Sequence, residues 1–352
     1  MCNEHGQSVA EAARSAPRAA VGEAVDPVTL PEVDEVIVTT LVDNTFDALL
    51  ASGGGVARVS MGAGRVDAPQ FAGGETVAGL RAEHGFSVLV TVRSGNASST
   101  LLFDTGVSPD GLAVNAERLG IDVGTLQGVV LSHGHFDHAG GFDGLARLRG
   151  RSGLPMTVHP AVWTRRRLEL PGGRTLEMPT LSKGALEREG FAVIERRQPS
   201  LLAGGILITG EVDRVTEFEH GMPPQHQAWD GHGWRHDPTV IDDQALVINV
   251  RGRGLVVITG CGHAGVVNIV RHATRLTGVS RLLAVIGGFH LSGPAFEPVI
   301  APTVAALTEL APELIVPGHC TGWRAQHALA ATLPAAWVQT SVGTTYTLSA
   351  VA

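Results

Sequence analysis

Residues 127–141 read Gln127-Gly128-Val129-Val130-Leu131-Ser132-His133-Gly134-His135-Phe136-Asp137-His138-Ala139-Gly140-Gly141. The β-branched opening reads as a strand, and ligand-type residues begin where its apolar part ends. In extended backbone alternate side chains point the same way, so His133 and His135 converge on one ion, while Gly134 lets the chain approach closely. Asp137 and His138 follow as the chain turns and would face a second ion beside the first. Neutral imidazoles and a carboxylate suit Zn²⁺, Mn²⁺ or Fe²⁺. A solvated loop that happens to carry histidines explains this density poorly, because strand ends are where open α/β sheets build their sites.

Working outward, 36–42, 86–92 and 99–106 are further short β-branched runs closed by polar residues, and 110–126 reads as a helix and turn with Leu112, Ala116 and Leu119 near one face. Regular alternation returns in ALVINV, GLVVITGC, VVNIVRHATRLTG, RLLAVIGGFH, a helix within 297–311, ELIVPGHC and TTYTLSA. Ile269, Val270, Ala273 and Leu276 form the helix face that a sheet would cover. Strands alternating with helices predict an α/β layered fold. Cys261 and His263, His290 and His319 end later strands of this half, as a metal site gathered from distant segments requires. Residues 1–34, rich in Ala, Glu, Arg and Pro, read as a mobile extension. The folded domain is expected over 35–352, with a looser lid or insertion at about 155–240.

The chain has 352 residues, 44% hydrophobic and 17% charged, too apolar for disorder. Its 26 basic against 34 acidic residues give a net charge of -8, so there is no basic field to draw in a nucleic acid. Cys2, Cys261 and Cys320 are too few and too scattered for a disulfide framework, which points to a reducing cytoplasm. No apolar run predicts a membrane span or a leader. Arg165-Arg166-Arg167 could clamp an anion, but a charge run reads first as a solvated face. The stretch 220–237, with His220, His226, Trp229, His232, Trp234, His236 and Asp237, has the composition of a substrate-covering lid or, equally, of a polar insertion.

The segment 133–138 resembles, residue for residue, the His-x-His-x-Asp-His signature of the metallo-β-lactamase superfamily. Phe103-Asp104-Thr105-Gly106 is similar to its strand-end Asp-Thr-Gly. Val42-Asp43-Asn44, Glu83-His84-Gly85-Phe86-Ser87, Asp242-Asp243-Gln244-Ala245-Leu246, Gly260-Cys261-Gly262-His263-Ala264-Gly265, Gly287-Gly288-Phe289-His290-Leu291 and His319-Cys320-Thr321-Gly322 resemble the dihydropterin synthase-like subfamily. That subfamily is named for 7,8-dihydropterin-6-yl-methyl-4-(β-D-ribofuranosyl)aminobenzene 5'-phosphate synthase. The resemblance covers about residues 35–350 and implies a four-layer αββα sandwich. It implies two divalent ions, zinc first with manganese or iron as alternatives, held by His133, His135, Asp137, His138, Cys261 and His319. Asp104 is implied as a residue behind the ligands or one that orders the loop. Where the superfamily keeps a third histidine for the first ion, this chain has Asp242-Asp243-Gln244. Asp242 or Asp243 could supply a carboxylate there, or His263 an imidazole from the next loop, the last being preferred. Cys261 falls at the position of the bridging aspartate, and its plain alternative is a buried small residue. His290 sits where nuclease branches keep a histidine for proton transfer or substrate contact, and His84 could shape the pocket or make a structural hydrogen bond.

The expected chemistry is hydrolysis of an ester, amide, lactone or phosphodiester by metal-bound hydroxide, with Asp137 orienting the nucleophile and His290 donating a proton. The subfamily name implies an alternative, transfer of a pterinyl-methyl group from its diphosphate to an aminobenzene ribofuranosyl phosphate. A non-catalytic metal- or ligand-binding protein is a third reading. The expected partner is a small-molecule substrate, phosphorylated or not, and the oligomeric state stays open.

Overall fold

The computed structural model describes residues 27–59 and 64–351. Among these, the strands form two large sheets. One, of eight strands, runs Phe191–Glu195, Leu154–Val158, Gly128–Val130, Ala97–Phe103, Ser87–Ser94, Glu35–Val42, Thr345–Ser349 and Val56–Ala57. The other, of seven, runs Ser200–Leu202, Ile206–Ile208, Ala245–Val250, Gly254–Thr259, Leu282–Gly288 and Leu314–Gly318, with Glu32–Val33 parallel to Ala245–Val250.

The two sheets meet face to face through Val36, Val38, Val88 and Val90 from one and Ile248, Val256, Ile258 and Ile286 from the other. Helix Val266–Thr277 lays Ile269, Val270, Ala273 and Leu276 on the outer face of the seven-stranded sheet, joined by Leu307 and Leu329. Helices Gly111–Arg118 and Phe142–Arg149 cover the eight-stranded sheet through Leu112, Ala116 and Leu145. The layers are therefore αββα. Ala245–Val250 and Gly254–Thr259 are buried at every residue because both their faces are covered, which is why they read as unbroken apolar runs.

Topology gathers the site at one edge. Gly254–Thr259, Leu282–Gly288 and Leu314–Gly318 are parallel neighbours, and so are Ala97–Phe103, Gly128–Val130 and Leu154–Val158. The segments after five of these strands carry Asp104, His133, Cys261, His290 and His319.

Three expectations change. The fold begins before Glu35: Leu30 and Val33 are buried in the cores, and Glu32–Val33 is a sheet strand. The rest of the expected extension, residues 1–26, lies outside the described residues. The segment 155–240 is not one lid, because Leu154–Val158 and Phe191–Glu195 extend one main sheet while Ser200–Leu202 and Ile206–Ile208 extend the other. What stands apart is an accessory four-stranded sheet, Arg174–Glu177, Arg166–Leu170, His226–Trp229 and Trp234–His236. The strand before the histidines ends at Val130, short of the expected His135.

Candidate metal centre

His135, in extended backbone, starts the single helical turn Phe136–Ala139, which turns Asp137 and His138 inward. The His133 and His135 rings lie 4.6 Å apart and those of His133 and His138 4.3 Å apart. Gly134 is needed for a reason other than the one expected. A Cβ there would collide with the backbone of Val162, so the close approach is to a neighbouring loop.

Two ligand sets meet at one thiol. Ligand atoms of Asp137, His138, Cys261 and His319 lie within 4.8 Å of one another, as do those of His133, Cys261 and His263. His138 Nε2 is 3.2 Å from Cys261 Sγ, and His133 Nε2 is 3.1 Å from His263 Nε2. Asp137 Oδ2 stands 3.4 Å from His319 Nε2, a buried nitrogen with no hydrogen-bond partner among the described residues.

The surrounding groups aim these lone pairs. Asp104 Oδ2 accepts from Ser132 Oγ at 2.7 Å and from His138 Nδ1 at 2.7 Å, and its Oδ1 accepts from Ser132 N at 2.7 Å. Since the Ser132 hydroxyl donates to Asp104, His133 Nδ1 donates to Ser132 Oγ at 2.9 Å. His319 Nδ1 donates to Asn44 Oδ1 at 3.1 Å. In His133, His138 and His319 alike the Nδ1 proton is engaged and Nε2 is left bare, the arrangement that outer hydrogen bonds impose on ligating imidazoles. The donor chemistry thus fits divalent zinc: imidazoles, one thiol and one carboxylate.

Electrostatics agree with the geometry at three imidazoles; at His138 burial pulls down but Asp104 and Asp137 outweigh it and raise the ring to about 9, so a bound metal would have to displace a proton from Nε2. Burial, with the neighbouring imidazoles adding to it and Arg166 as well at His133 and His135, pulls His133, His135 and His263 well below the ordinary histidine value, so their rings stay neutral. Burial pushes the Asp137 carboxyl up, but His138, His319 and His135 outweigh it and hold it well below the usual range. Burial also raises the Cys261 thiol, whose proton a bound metal would displace.

The remaining candidate residues separate. Asp242 and His135 both sit in none of the close donor clusters, but they differ: His135 keeps its ring 4.6 and 4.8 Å from those of His133 and His263, whereas Asp242 is taken up by the buried Arg166 and by Gly134 N at 2.7 Å. Asp243 accepts from Ala264 N at 2.8 Å, and burial raises it to about 7. Neither carboxylate reaches the position of the missing histidine, where His263 stands. Arg166 is also a correction to the expected solvated face, because only Arg165 and Arg167 are outward while Arg166 bonds Asp237 and Asp242. Asn44 Nδ2 donates to His84 Nδ1 at 3.1 Å, which puts the His84 proton on Nε2, 3.7 Å from Asp137 Oδ2. His290 packs on His263 with ring centroids 4.3 Å apart and joins Cys261 and Cys320 in a third close donor set. Asp104, His290 and His319 hold φ of +61°, +47° and +46°, costly backbone that tends to be stored at functional sites.

Sequence reasoning missed two residues here. Cys320 was visible only as part of a motif, yet its thiol donates to Cys261 O at 3.3 Å. His226 was one histidine among several in 220–237, yet it is buried with Nε2 3.1 Å from His135 Nε2.

Beside His263 and His290 opens a pocket walled by Phe218, Met222, Phe289, Leu291 and Phe296, with Glu219, His220 and His236 among its polar lining. Among the described residues no Lys or Arg lines it. Glu219 anchors the wall by accepting from Val267 N and Asn268 N at 2.9 and 2.8 Å, at the start of helix Val266–Thr277. Among the described residues no helix is long and apolar enough to cross a membrane.

Comparison with known proteins gives consistent matches. The family described as the Metallo-beta-lactamase superfamily matches residues 80–273. The chain is 29% identical over 252 residues to the 7,8-dihydropterin-6-methyl-4-(beta-D-ribofuranosyl)-aminobenzene-5'-phosphate synthase of Methanocaldococcus jannaschii, covering 70% of this chain and 83% of that one. An uncharacterized protein of the same organism is 28% identical over 249 residues, covering 69% and 86%. The crystal structure of Tm1679, described as a metal-dependent hydrolase of the beta-lactamase superfamily, aligns with a TM-score of 0.66 and 26% identity over 89% of this chain and 99% of that one.

Proposed function

Because the chain belongs to the metallo-beta-lactamase superfamily, we propose that it is a hydrolase using two divalent ions, zinc before manganese or iron. His133, His135, His263 and Cys261 would hold the first, and Asp137, His138, His319 and Cys261 the second. The observation that carries this reading is the Cys261 thiol common to both ligand sets. Bound there, such ions lower the pKa of a water toward about 7 and polarise a carbonyl or phosphoryl oxygen.

The chain's own residues supply the rest. The Asp137 carboxylate stays ionised and stands at the exposed side of the cluster, where it can orient an attacking water. His84, with its proton on Nε2 and its ring open to solvent, can deliver that proton near Asp137 to a departing group. His290, between the ligands and Phe296, bounds the pocket and is placed to touch substrate. Largely apolar walls, whose ionisable lining among the described residues is histidines and Glu219 with no Lys or Arg, favour an uncharged acyl or aromatic group, so an ester or lactone is the first substrate class. The buried free thiols Cys261 and Cys320 suit a reducing, cytoplasmic setting.

A second reading, pterinyl-methyl transfer with loss of diphosphate, is favoured by the relative named as a synthase. Flat aromatic walls would also accept a pterin.

Metal analysis by plasma mass spectrometry on untagged protein, beside His135→Ala and Cys261→Ala, tests the centre. Two ions per chain, reduced in both variants, is the expected result; metal content unaffected by either change would refute it. Esters and lactones turned over without any diphosphate substrate support hydrolysis, whereas diphosphate release from a pterinyl-methyl diphosphate only when an aminobenzene acceptor is present establishes transfer.

A further inference from the structure

We propose that His226 is a positioning residue for the first ion: reaching in from the accessory sheet, it fixes the proton of His135 on Nε2 and so leaves Nδ1 as the ligating atom. The inference rests on the metal-centre reading above and assigns a role to a residue outside every ligand set.

The argument is one of donors and acceptors. His226 Nδ1 lies 3.0 Å from the carbonyl oxygen of Asp237. A carbonyl only accepts, so Nδ1 carries the proton, and in a neutral imidazole the other nitrogen is then an acceptor. That acceptor, Nε2, faces His135 Nε2 at 3.1 Å. Unlike His133 and His263, which share a close donor set where an ion could lie between their lone pairs, His135 and His226 share none, so two bare lone pairs here would repel and the proton between them belongs to His135 Nε2. Neutral His135 then has one lone pair left, on Nδ1, and its ring lies 4.6 and 4.8 Å from the rings of His133 and His263.

The accessory sheet is built to hold His226 in this place. Leu168 pairs with His226 across neighbouring strands, and Arg166, two residues before Leu168, bonds Asp237 through Nε at 3.1 Å. Asp237 thus receives His226 at its backbone and Arg166 at its side chain. Arg166 also pairs with Asp242, which takes the Gly134 N–H. The accessory sheet therefore grips the His133–His135 segment twice, once at its backbone and once at an imidazole. Zinc affinity becomes dependent on the docking of a sheet that contributes no ligand.

The test uses the full chain loaded with Zn²⁺. Long-range ¹H–¹⁵N imidazole spectra of the wild type should show His135 protonated at Nε2 and bound through Nδ1, with His226 protonated at Nδ1 and unbound. Zinc affinity by chelator competition should fall about 10–100-fold in His226→Phe, which offers no acceptor, and return close to wild type in His226→Gln, whose amide oxygen can accept. The proposal is overturned if His135 ligates through Nε2, if His226 is itself zinc-bound, or if the Phe variant binds zinc like the wild type. Should His226→Phe fail to fold, the wild-type spectrum decides. A wild type that binds no zinc would remove the metal centre altogether, whereas zinc bound equally by both proteins removes only the role of His226.

Discussion

Asp104→Asn probes the centre without touching a ligand. Asp104 is fully buried at φ +61°, a conformation that asparagine accepts readily, so the backbone need not move. The carboxylate takes three donors: Ser132 N on Oδ1, and Ser132 Oγ and His138 Nδ1 on Oδ2. An asparagine has one oxygen, and in either flip its amide group must face a donor. Turned toward Ser132 N, it sets two buried N–H groups against each other, which costs about 1–3 kcal/mol of stability. Turned toward His138, it forces that imidazole to carry its proton on Nε2, the nitrogen aimed at Cys261, and the lone pair meant for the metal is lost. Changes behind a ligand of this kind weaken metal binding about 10–100-fold, or about 1.4–2.7 kcal/mol. Chelator competition on the loaded protein and urea unfolding of the metal-free protein read the two branches separately. Zinc affinity and unfolding midpoint both equal to wild type would refute the role given to Asp104.

Three further outcomes are expected. Gly140→Ala should destabilise by about 3 kcal/mol or more, because a Cβ there collides with the Val107 carbonyl oxygen; an unfolding midpoint like that of wild type would show that the two loops can part cheaply. Glu219→Ala removes the acceptor for Val267 N and Asn268 N, so it should cost about 1–2 kcal/mol in thermal unfolding and raise KM more than it lowers kcat by loosening the pocket wall; unchanged KM would detach that wall from substrate binding. Burial pushes Tyr346 up to about 12, so the fold favours the neutral phenol: its contribution is intact below about pH 10, and by pH 12 about 2.5 kcal/mol is lost as the unfolded chain ionises first. Tyr346→Phe, whose missing hydroxyl makes no hydrogen bond among the described residues, should be near neutral at pH 7 and abolish that alkaline loss in denaturation measured across pH.

The parts of the centre legible in the sequence were those with a local signature. The spacing of His133 to His138 is a geometric statement about a few consecutive residues, and Cys261, His263 and His319 stood out because each follows an apolar run. His226 gave no such signal, since its place depends on docking between sheets rather than on its neighbours in the chain. Arg166 did carry one: a strand through Arg165-Arg166-Arg167 must send one of the three to the opposite face. The choice among Asp242, Asp243 and His263 could not be made from spacing, because what separates them is which donors the two carboxylates already serve. The start of the fold was missed because Glu32–Val33 is too short to show a period, and its partner strand lies some 215 residues further along the chain.

The ends of the described chain are exchanged between the sheets. Glu32–Val33 lies in the sheet built mainly from residues 200–318, and Thr345–Ser349 lies in the sheet built mainly from residues 35–195, seated between Glu35–Val42 and Val56–Ala57. During synthesis, Glu35–Val42 emerges early and keeps one edge without its partner until Ser349 has been made. That edge is a row of unsatisfied amides open to wrong pairing for most of the time of translation. Neither half can close alone, so a nascent chain of this protein is expected to depend on holding chaperones, and deletion of Thr345–Ser349 should yield aggregates rather than a smaller soluble domain.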